Sequence, residues 1–342
     1  MPPRASTGSV RSNDDRICRF RAIAGKGFRI ALEVTRRCNI ACLHCFVPNE
    51  RQDPSLASLV ELFAPLRQAG CRKLILTGGE PLLRTDLVEI VRAAVEVGIG
   101  VDLNSNLVGL TEERVAALVE AGLAEASTSL YGDEAFHDAF VRHAGAYAST
   151  LRSCNLLRQH GVDIDFHGPV WAENLSFVEH VYELAERMDA SSVTLFKVIG
   201  LAGTEAGQLF GATRFGAQAQ QFPEPALQEL EARVGRLRAR GSLPLRTIGF
   251  WGSLEGECEQ GASILGLTSD LRLSPCLLAR RTDPLRRVVQ GDTLVEAIAV
   301  VRAEVQQGLW RPACEDECPS TVTPSGMVHL GRLPPGSHPH DS

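Results

Sequence analysis

From residue 29 to residue 198, apolar runs alternate with amphipathic helical segments, and this alternation restricts the fold more than any other feature. Strand-like runs fall at 29–34, 73–77, 100–103, 125–131, 163–171 and 192–198, with helical patterns at 55–69, 86–97, 111–121, 144–160 and 175–188. In the first helical segment Leu56, Leu59, Val60, Phe63 and Leu66 recur at helical spacing, which predicts one apolar face. Gly70, Gly98, Gly122 and Gly161 stand at helix ends, where a left-handed residue stops the helix. Strand–helix units of roughly thirty residues build a parallel sheet through right-handed crossovers. The fold class is therefore α/β, and six such strands fit either a partial barrel or an open sheet.

After residue 198 the texture changes. Residues 200–225 are rich in Gly, Ala, Gln and Pro and read as a linker. A helix is expected at 225–240, followed by short strands and turns carrying four cysteines and a helix at 293–308. The expected organisation is a flexible segment at 1–27, a strand–helix domain at 28–215, a small Cys-rich α+β domain at 216–332 and a disordered Pro/His tail at 333–342. The tail's histidines read as solvated, with metal binding as the alternative. A net charge of −6 argues against a general nucleic-acid binder. No apolar stretch reaches the length of a membrane span, and the residues after Met1 hold no signal-peptide core, so the expected location is the cytoplasm.

In a cytosolic setting, clustered cysteines read as metal ligands or reactive thiols rather than disulfides. Seven of the ten cysteines fall into two groups. The first is Cys38-Asn-Ile-Ala-Cys42-Leu-His-Cys45, directly after the first strand. Active sites of parallel strand–helix barrels gather at that end of the strands. Three thiolates hold three corners of a cubane iron–sulfur cluster and leave the fourth iron open to an external ligand. Zinc, with His44 as a fourth ligand, and redox use of the Cys42/Cys45 pair both remain open on spacing alone. Cys18, Cys71 and Cys154 are isolated and read as inert small apolar residues.

The second strand ends in Gly78-Gly79-Glu80-Pro81. Two glycines let backbone approach a ligand closely, and Glu80 is either a ligand contact or a structural acceptor for its loop. With CNIACLHC and TGGEP on consecutive strands, residues 28–200 resemble the radical S-adenosylmethionine superfamily. The resemblance implies a partial (β/α)6 TIM-like barrel and a [4Fe-4S] cluster on Cys38, Cys42 and Cys45. S-adenosyl-L-methionine would chelate the open iron, with Gly78, Gly79, Glu80 and Pro81 lining its methionine moiety. Reductive cleavage would give a 5′-deoxyadenosyl radical that abstracts hydrogen from a substrate. The family often has an aromatic residue where His44 stands. Asn104, Ser105 and Asn106 fall where the family places ribose contacts, and Ser129 and Arg142 resemble cofactor-contacting positions. Ordinary strand-end and helix-start roles are the alternative for each. Asn174 reads as a helix N-cap before Leu175, with an adenine contact as the alternative.

The second group is Cys258, Cys276, Cys314 and Cys318. This region resembles a C-terminal twitch or SPASM-like extension, which implies one auxiliary [4Fe-4S] cluster. The Cys-x₃-Cys spacing of the last pair departs from the usual Cys-x₂-Cys, and a structural zinc site is the alternative.

The expected substrate is a small natural-product intermediate, such as an amino sugar, aminocyclitol or nucleoside, undergoing dehydrogenation, decarboxylation or epimerisation. Maturation of a ribosomally made peptide is the alternative. About 28 residues precede the first strand, fewer than a winged-helix peptide-recognition module needs, so the expectation leans to the small molecule. A non-catalytic iron–sulfur or zinc protein is the reading from a different class. Asp102, Tyr131, His167 and Lys197 stand at or near strand ends as candidate acid–base groups facing substrate. Expected partners are a reductant protein such as flavodoxin or ferredoxin and the substrate, with no nucleic acid and no membrane.

Overall fold

A computed structural model describes residues 27–45, 47, 53–198, 223–248, 263–275, 277, 287–288 and 293–306. Its strands are β1 (Phe28–Thr35), β2 (Cys71–Gly78), β3 (Gly100–Asn104), β4 (Glu125–Ser129), β5 (Asp163–Val170), β6 (Ser192–Lys197), β7 (Leu245–Ile248), β8 (Ile264–Leu267), β9 (Arg272–Ser274) and β10 (Arg287–Val288). Its helices are α1 (Leu56–Gln68), α2 (Leu87–Glu96), α3 (Glu112–Glu120), α4 (Glu134–Val141), α5 (Ala146–Gln159), α6 (Val178–Arg187), α7 (Glu224–Arg240) and α8 (Leu294–Gln306). The described strands form one sheet in the order β10-β9-β8-β1-β2-β3-β4-β5-β6-β7. Strands β1 to β7 run parallel in chain order, the wall of a partial TIM-like barrel.

Side-chain alternation divides this wall into two faces. Ile30, Leu32, Leu74, Leu76, Leu103, Ile164 and Val193 enter the apolar core shared with the helices. The intervening positions carry Lys73, Asp102, Glu125, Asp165, His167, Thr194 and Arg246, so the inner face is polar. Helix α1 shows how the helices pack onto this wall. The Ser55 hydroxyl caps it by accepting the Ser58 N–H at 3.1 Å. Leu59, Leu62, Phe63 and Leu66 form its buried face. Val60, expected on that face, is 38% exposed, because one residue beyond Leu59 rotates it about 100° toward the flank. Each fully buried leucine here contributes about 2 kcal/mol of burial free energy.

Two further differences bear on the site. The helical pattern expected at 144–160 is α5, which begins at Ala146, and an unanticipated short helix, α4, precedes it. Asp133 caps α4 by accepting the Phe136 N–H at 2.9 Å, and Arg142 ends it in the left-handed conformation at φ 57°. The described elements beyond residue 215 extend the sheet on both flanks. Strand β7 pairs with β6, and β8 pairs in parallel with β1. Leu230 and Val234 of α7, Leu265 of β8, and Leu294 and Ile298 of α8 join the same core. Cys258, Cys276, Cys314 and Cys318, with residues 200–222 of the linker expected at 200–225, lie outside the described residues, as do Cys18, the segment 1–26 and the tail at 333–342.

Candidate functional site

The loop after β1 carries Cys38, Cys42 and Cys45, all free thiols, the first two half-buried and the last exposed. Side chains at the end of β1 fix where it starts. The Thr35 hydroxyl donates to Asp53 Oδ1 at 2.7 Å and accepts the Arg37 N–H at 3.1 Å. Arg37 in turn donates Nε and Nη2 to Asp53 Oδ2, at 2.9 and 2.5 Å. Further along, the Ala41 and Leu43 N–H groups donate to the Val141 and Phe140 carbonyls, both at 3.1 Å. These carbonyls end α4 and have no partner within the helix, so the cysteine loop closes the helix and the helix holds the loop.

Gly78 and Gly79 meet the same loop from β2. The Gly79 N–H donates to the Thr35 carbonyl at 2.8 Å, and the Glu80 N–H to the Arg37 carbonyl at 2.7 Å. A Cβ at Gly78 would sit 2.0 Å from the Thr35 oxygen, and one at Gly79 would sit 2.1 Å from the Arg37 oxygen. In the described structure the close approach that demands glycine is therefore to the backbone of the cysteine loop.

Glu80 is fully buried. Its Oε1 accepts the Leu82 N–H at 2.8 Å and the Ser105 hydroxyl at 2.7 Å, and its Oε2 accepts the Asn106 N–H at 2.8 Å. Burial pushes this carboxyl above its usual range, against the opposing pull of those hydrogen bonds. Glu80 thereby ties the β2 loop to the β3 loop, and Pro81 starts the short 3₁₀ turn that it caps.

Asn106 faces the cysteines through its side chain. Its Nδ2 donates to Asn39 Oδ1 at 2.8 Å and lies 3.9 Å from Cys38 Sγ. Burial pushes the Tyr131 hydroxyl well above its ordinary range, the charge of Cys42 adds to the rise, and Ser129 opposes it. The His44 ring lies 5.3 Å from the rings of Tyr131 and Phe140. Burial lowers its pKa to about 4, so the imidazole is neutral, and its Nδ1 is a buried atom without a hydrogen-bond partner among the described residues. Asn174 acts neither as the cap of Leu175 nor through a free amide. It accepts the Trp171 N–H at 2.9 Å and donates to the Pro169 and Tyr131 carbonyls at 2.9 and 3.3 Å. Those bonds use the whole amide to brace the end of β5.

The thiols are close enough to influence one another. Burial pushes Cys42 up to about 12, and the neighbouring Cys45 and Cys38 add to the rise. Binding to metal reverses that preference by replacing the protons. Among the described residues no three His, Cys, Asp or Glu side chains converge on one metal ion. Three thiolates on one loop are the donor set that holds three corners of a cubane iron–sulfur cluster, each thiolate on a different iron.

Deeper in the barrel, Asp165 accepts from Ser192 and Arg246, each at 2.8 Å, and lies 3.5 Å from His167 Nε2. Burial alone would raise the Asp165 carboxyl, but the His167 hydrogen bond and the Arg246 charge bring it down to about 2. Asp102 accepts the Ser127 hydroxyl at 3.2 Å. Burial and then the charge of Glu125 push it up to about 6. Lys73 pairs with Glu125 beside it.

Local sequence gave no sign of the fastening residues Asn39, Asp53 and Arg84. Arg84 is buried, donates to the Val34 and Pro54 carbonyls at 2.9 Å each, and grips Asp86 with two hydrogen bonds of 2.8 and 2.7 Å.

Residues 32–185 match the model of the radical SAM superfamily. Over 196 residues the chain is 31% identical to an AdoMet-dependent heme synthase of Oleidesulfovibrio alaskensis, covering 54% of this chain and 50% of that one. Over 174 residues it is 33% identical to a PqqA peptide cyclase of Rhodopseudomonas palustris, covering 49% and 46%. The chain thus spans about half the length of these relatives. Among solved structures, Streptococcus suis SuiB bound to S-adenosylmethionine superposes with a TM-score of 0.65 at 13% identity, over 89% of this chain and 75% of that one. AnSMEcpe with bound AdoMet gives 0.64 at 13% identity, over 89% and 93%. At such identities the likeness shows the fold alone. Among the described residues no helix is long and apolar enough to cross a membrane.

Proposed function

With residues 32–185 forming a radical S-adenosylmethionine domain, we propose that Cys38, Cys42 and Cys45 hold the [4Fe-4S] cluster of an enzyme that abstracts hydrogen from a small polar substrate. The observation that carries this reading is the three-thiol loop at the C-terminal end of β1, fastened to Gly78 and Gly79 at the end of β2. When bound, the cluster supplies the electron that cleaves S-adenosylmethionine and so generates a 5′-deoxyadenosyl radical. The chain's own residues do the positioning. Gly78 and Gly79 allow the loop to sit against β2, and Glu80 joins the β2 and β3 loops beneath it. Pro81, Ser129 and Arg142 complete the proposed cofactor surround.

The substrate class is read from the inner face of the sheet. His167, Asp165, Arg246, Thr194 and Asp102 make this face polar, with His167, Arg246 and Thr194 gathered on Asp165, a setting that suits a compact molecule rich in hydroxyl or amino groups better than an apolar one. Oxidation of such a molecule is the favoured outcome: the 5′-deoxyadenosyl radical would take one hydrogen atom, and the substrate radical would then lose a proton and pass its remaining electron to an auxiliary [4Fe-4S] cluster on Cys258, Cys276, Cys314 and Cys318 of a twitch or SPASM-like extension. Flavodoxin or ferredoxin would supply the separate electron that cleaves S-adenosylmethionine. The similarity to a PqqA peptide cyclase supports a second reading, in which the substrate is a peptide.

The test is anaerobic reconstitution followed by iron and sulfide counts and 5′-deoxyadenosine release under reduction. Wild type is expected to hold about eight irons and a Cys38→Ala/Cys42→Ala/Cys45→Ala variant about four, with 5′-deoxyadenosine only from wild type. Equal iron in both proteins would sink the assignment of the first three cysteines. About four irons in wild type and none in the variant would remove the auxiliary cluster. Small polar compounds and leader-bearing peptides, offered separately, distinguish the substrate readings by which increases 5′-deoxyadenosine.

A further inference from the structure

We infer that Asn106 is a positioning residue for the cluster's electron affinity, acting through an N–H···S hydrogen bond to Cys38. The inference rests on the proposal that Cys38 is a cluster ligand. Resemblance placed Asn106 among ribose contacts, whereas in the structure its amide group is already engaged with the cysteine loop.

The direction of that amide is determined by its partners. The Val108 N–H donates to Asn106 Oδ1 at 2.8 Å, so the oxygen must face Val108 and the nitrogen must face the cysteine loop. One N–H of the nitrogen meets Asn39 Oδ1 at 2.8 Å, and the Nδ2 to Cys38 Sγ separation of 3.9 Å leaves the other for sulfur. Asn39 is itself anchored, donating Nδ2 to the Val108 carbonyl at 3.4 Å. The backbone of Asn106 is held on both sides, its N–H by Glu80 Oε2 and its carbonyl by the Thr150 hydroxyl, each at 2.8 Å. The donor is therefore aimed before any cofactor binds and needs no reorganisation to meet a thiolate.

Hydrogen bonds to cluster sulfurs are one of the determinants of reduction potential. Reduction adds negative charge that spreads onto the ligating sulfurs, and a fixed N–H dipole stabilises that added charge. Asn106 should thus make the cluster easier to reduce. Removing the donor should move the midpoint to more negative values, and placing an anion there should move it further. This is an outer-sphere effect and does not require Asn106 to touch substrate.

The experiment is a redox titration of the reconstituted full-length chain, followed by EPR. The signal that changes on adding S-adenosylmethionine reports the cluster with the open iron. Wild type, Asn106→Ser and Asn106→Asp are compared at matched iron content. Asn106→Asp keeps the acceptor for the Val108 N–H and replaces the donor with an anion. The expected order of midpoints is wild type highest, Asn106→Ser lower and Asn106→Asp lowest. Pulsed ENDOR in deuterated buffer should also lose one exchangeable-proton coupling in both variants. If Asn106→Asp sheds its iron, Asn106→Ser carries the comparison. Midpoints equal to wild type with the coupling retained would overturn the inference. Loss of iron from both variants, with unchanged apo-protein melting, would also overturn it by making Asn106 a determinant of assembly. Failure of the parent reading is separable, since wild type would then show no S-adenosylmethionine-responsive signal.

Discussion

The Thr35 carbonyl oxygen occupies the space that a side chain on Gly78 would need, 2.0 Å from the position of its Cβ. Gly78 also sits at φ 142°, and Gly79 meets the Arg37 carbonyl with almost the same closeness. Neither clash is with the flexible end of a side chain, so the backbone itself has to move.

Gly78→Ala and Gly79→Ala should therefore each destabilise the protein by on the order of 3 kcal/mol and displace the cysteine loop. Urea unfolding measures the first effect and iron content after reconstitution the second. An alanine variant with wild-type stability and iron would show that the loop does not depend on this contact.

Glu80→Gln tests the junction between the β2 and β3 loops. The carboxylate accepts three donors, and glutamine offers one acceptor oxygen and brings an NH₂ toward groups that also donate. A loss of roughly 2–3 kcal/mol is expected, seen as a lower midpoint in chemical unfolding. A purely ligand-contacting Glu80 predicts unchanged unfolding and weaker S-adenosylmethionine binding instead.

Arg84→Met removes the cation that fastens the Val34 and Pro54 carbonyls and leaves Asp86 without its partner. The expected cost is about 3 kcal/mol. Arg84→Lys should restore only part of it, because an ammonium cannot reproduce the planar fork. Thermal melts of the two variants check both statements, and full rescue by lysine would reduce Arg84 to a simple charge.

Asp102→Asn addresses pH. The folded-state pKa of about 6 lies above the ordinary carboxylate range, so the native state holds this proton more tightly than the unfolded chain. That contribution is fully present below the unfolded pKa near 4 and is lost as pH rises through about 6. Asparagine keeps the acceptor for Ser127 and cannot ionise. The variant should match wild type near pH 4 and exceed it by up to about 3 kcal/mol at pH 8. Melting curves at the two pH values decide, and an equal difference at both would remove the ionisation argument.

Much of the scaffold was legible in the sequence because it is written locally. The strand–helix alternation predicted β1 to β6, and TGGEP stood out because it ends a strand. The loop fastening was not legible, because it depends on side chains that meet only after folding. Asn39 and Asn106 are 67 residues apart, and Arg84 reaches Val34 across 50. Helix α4 escaped for a different reason. Its eight residues are too few for a clear apolar period, and only Asp133 before it marked the start. Glu80 was recognised as significant with two roles open, and its three hydrogen bonds now account for a structural one. Val60 fell on the wrong side because a helix face read from apolar type alone is one residue too wide.

The parallel pairing of β8 with β1 carries a consequence for biosynthesis. Leu32 must wait for Leu267 before that flank of its strand is covered. Translation at about 5–20 residues per second makes the interval tens of seconds. Through that time the strand leading into the cysteine loop presents open backbone groups to other nascent chains. Slow elongation or delayed release should therefore favour aggregation through β1, and chaperone demand should peak before residue 264 emerges from the ribosome.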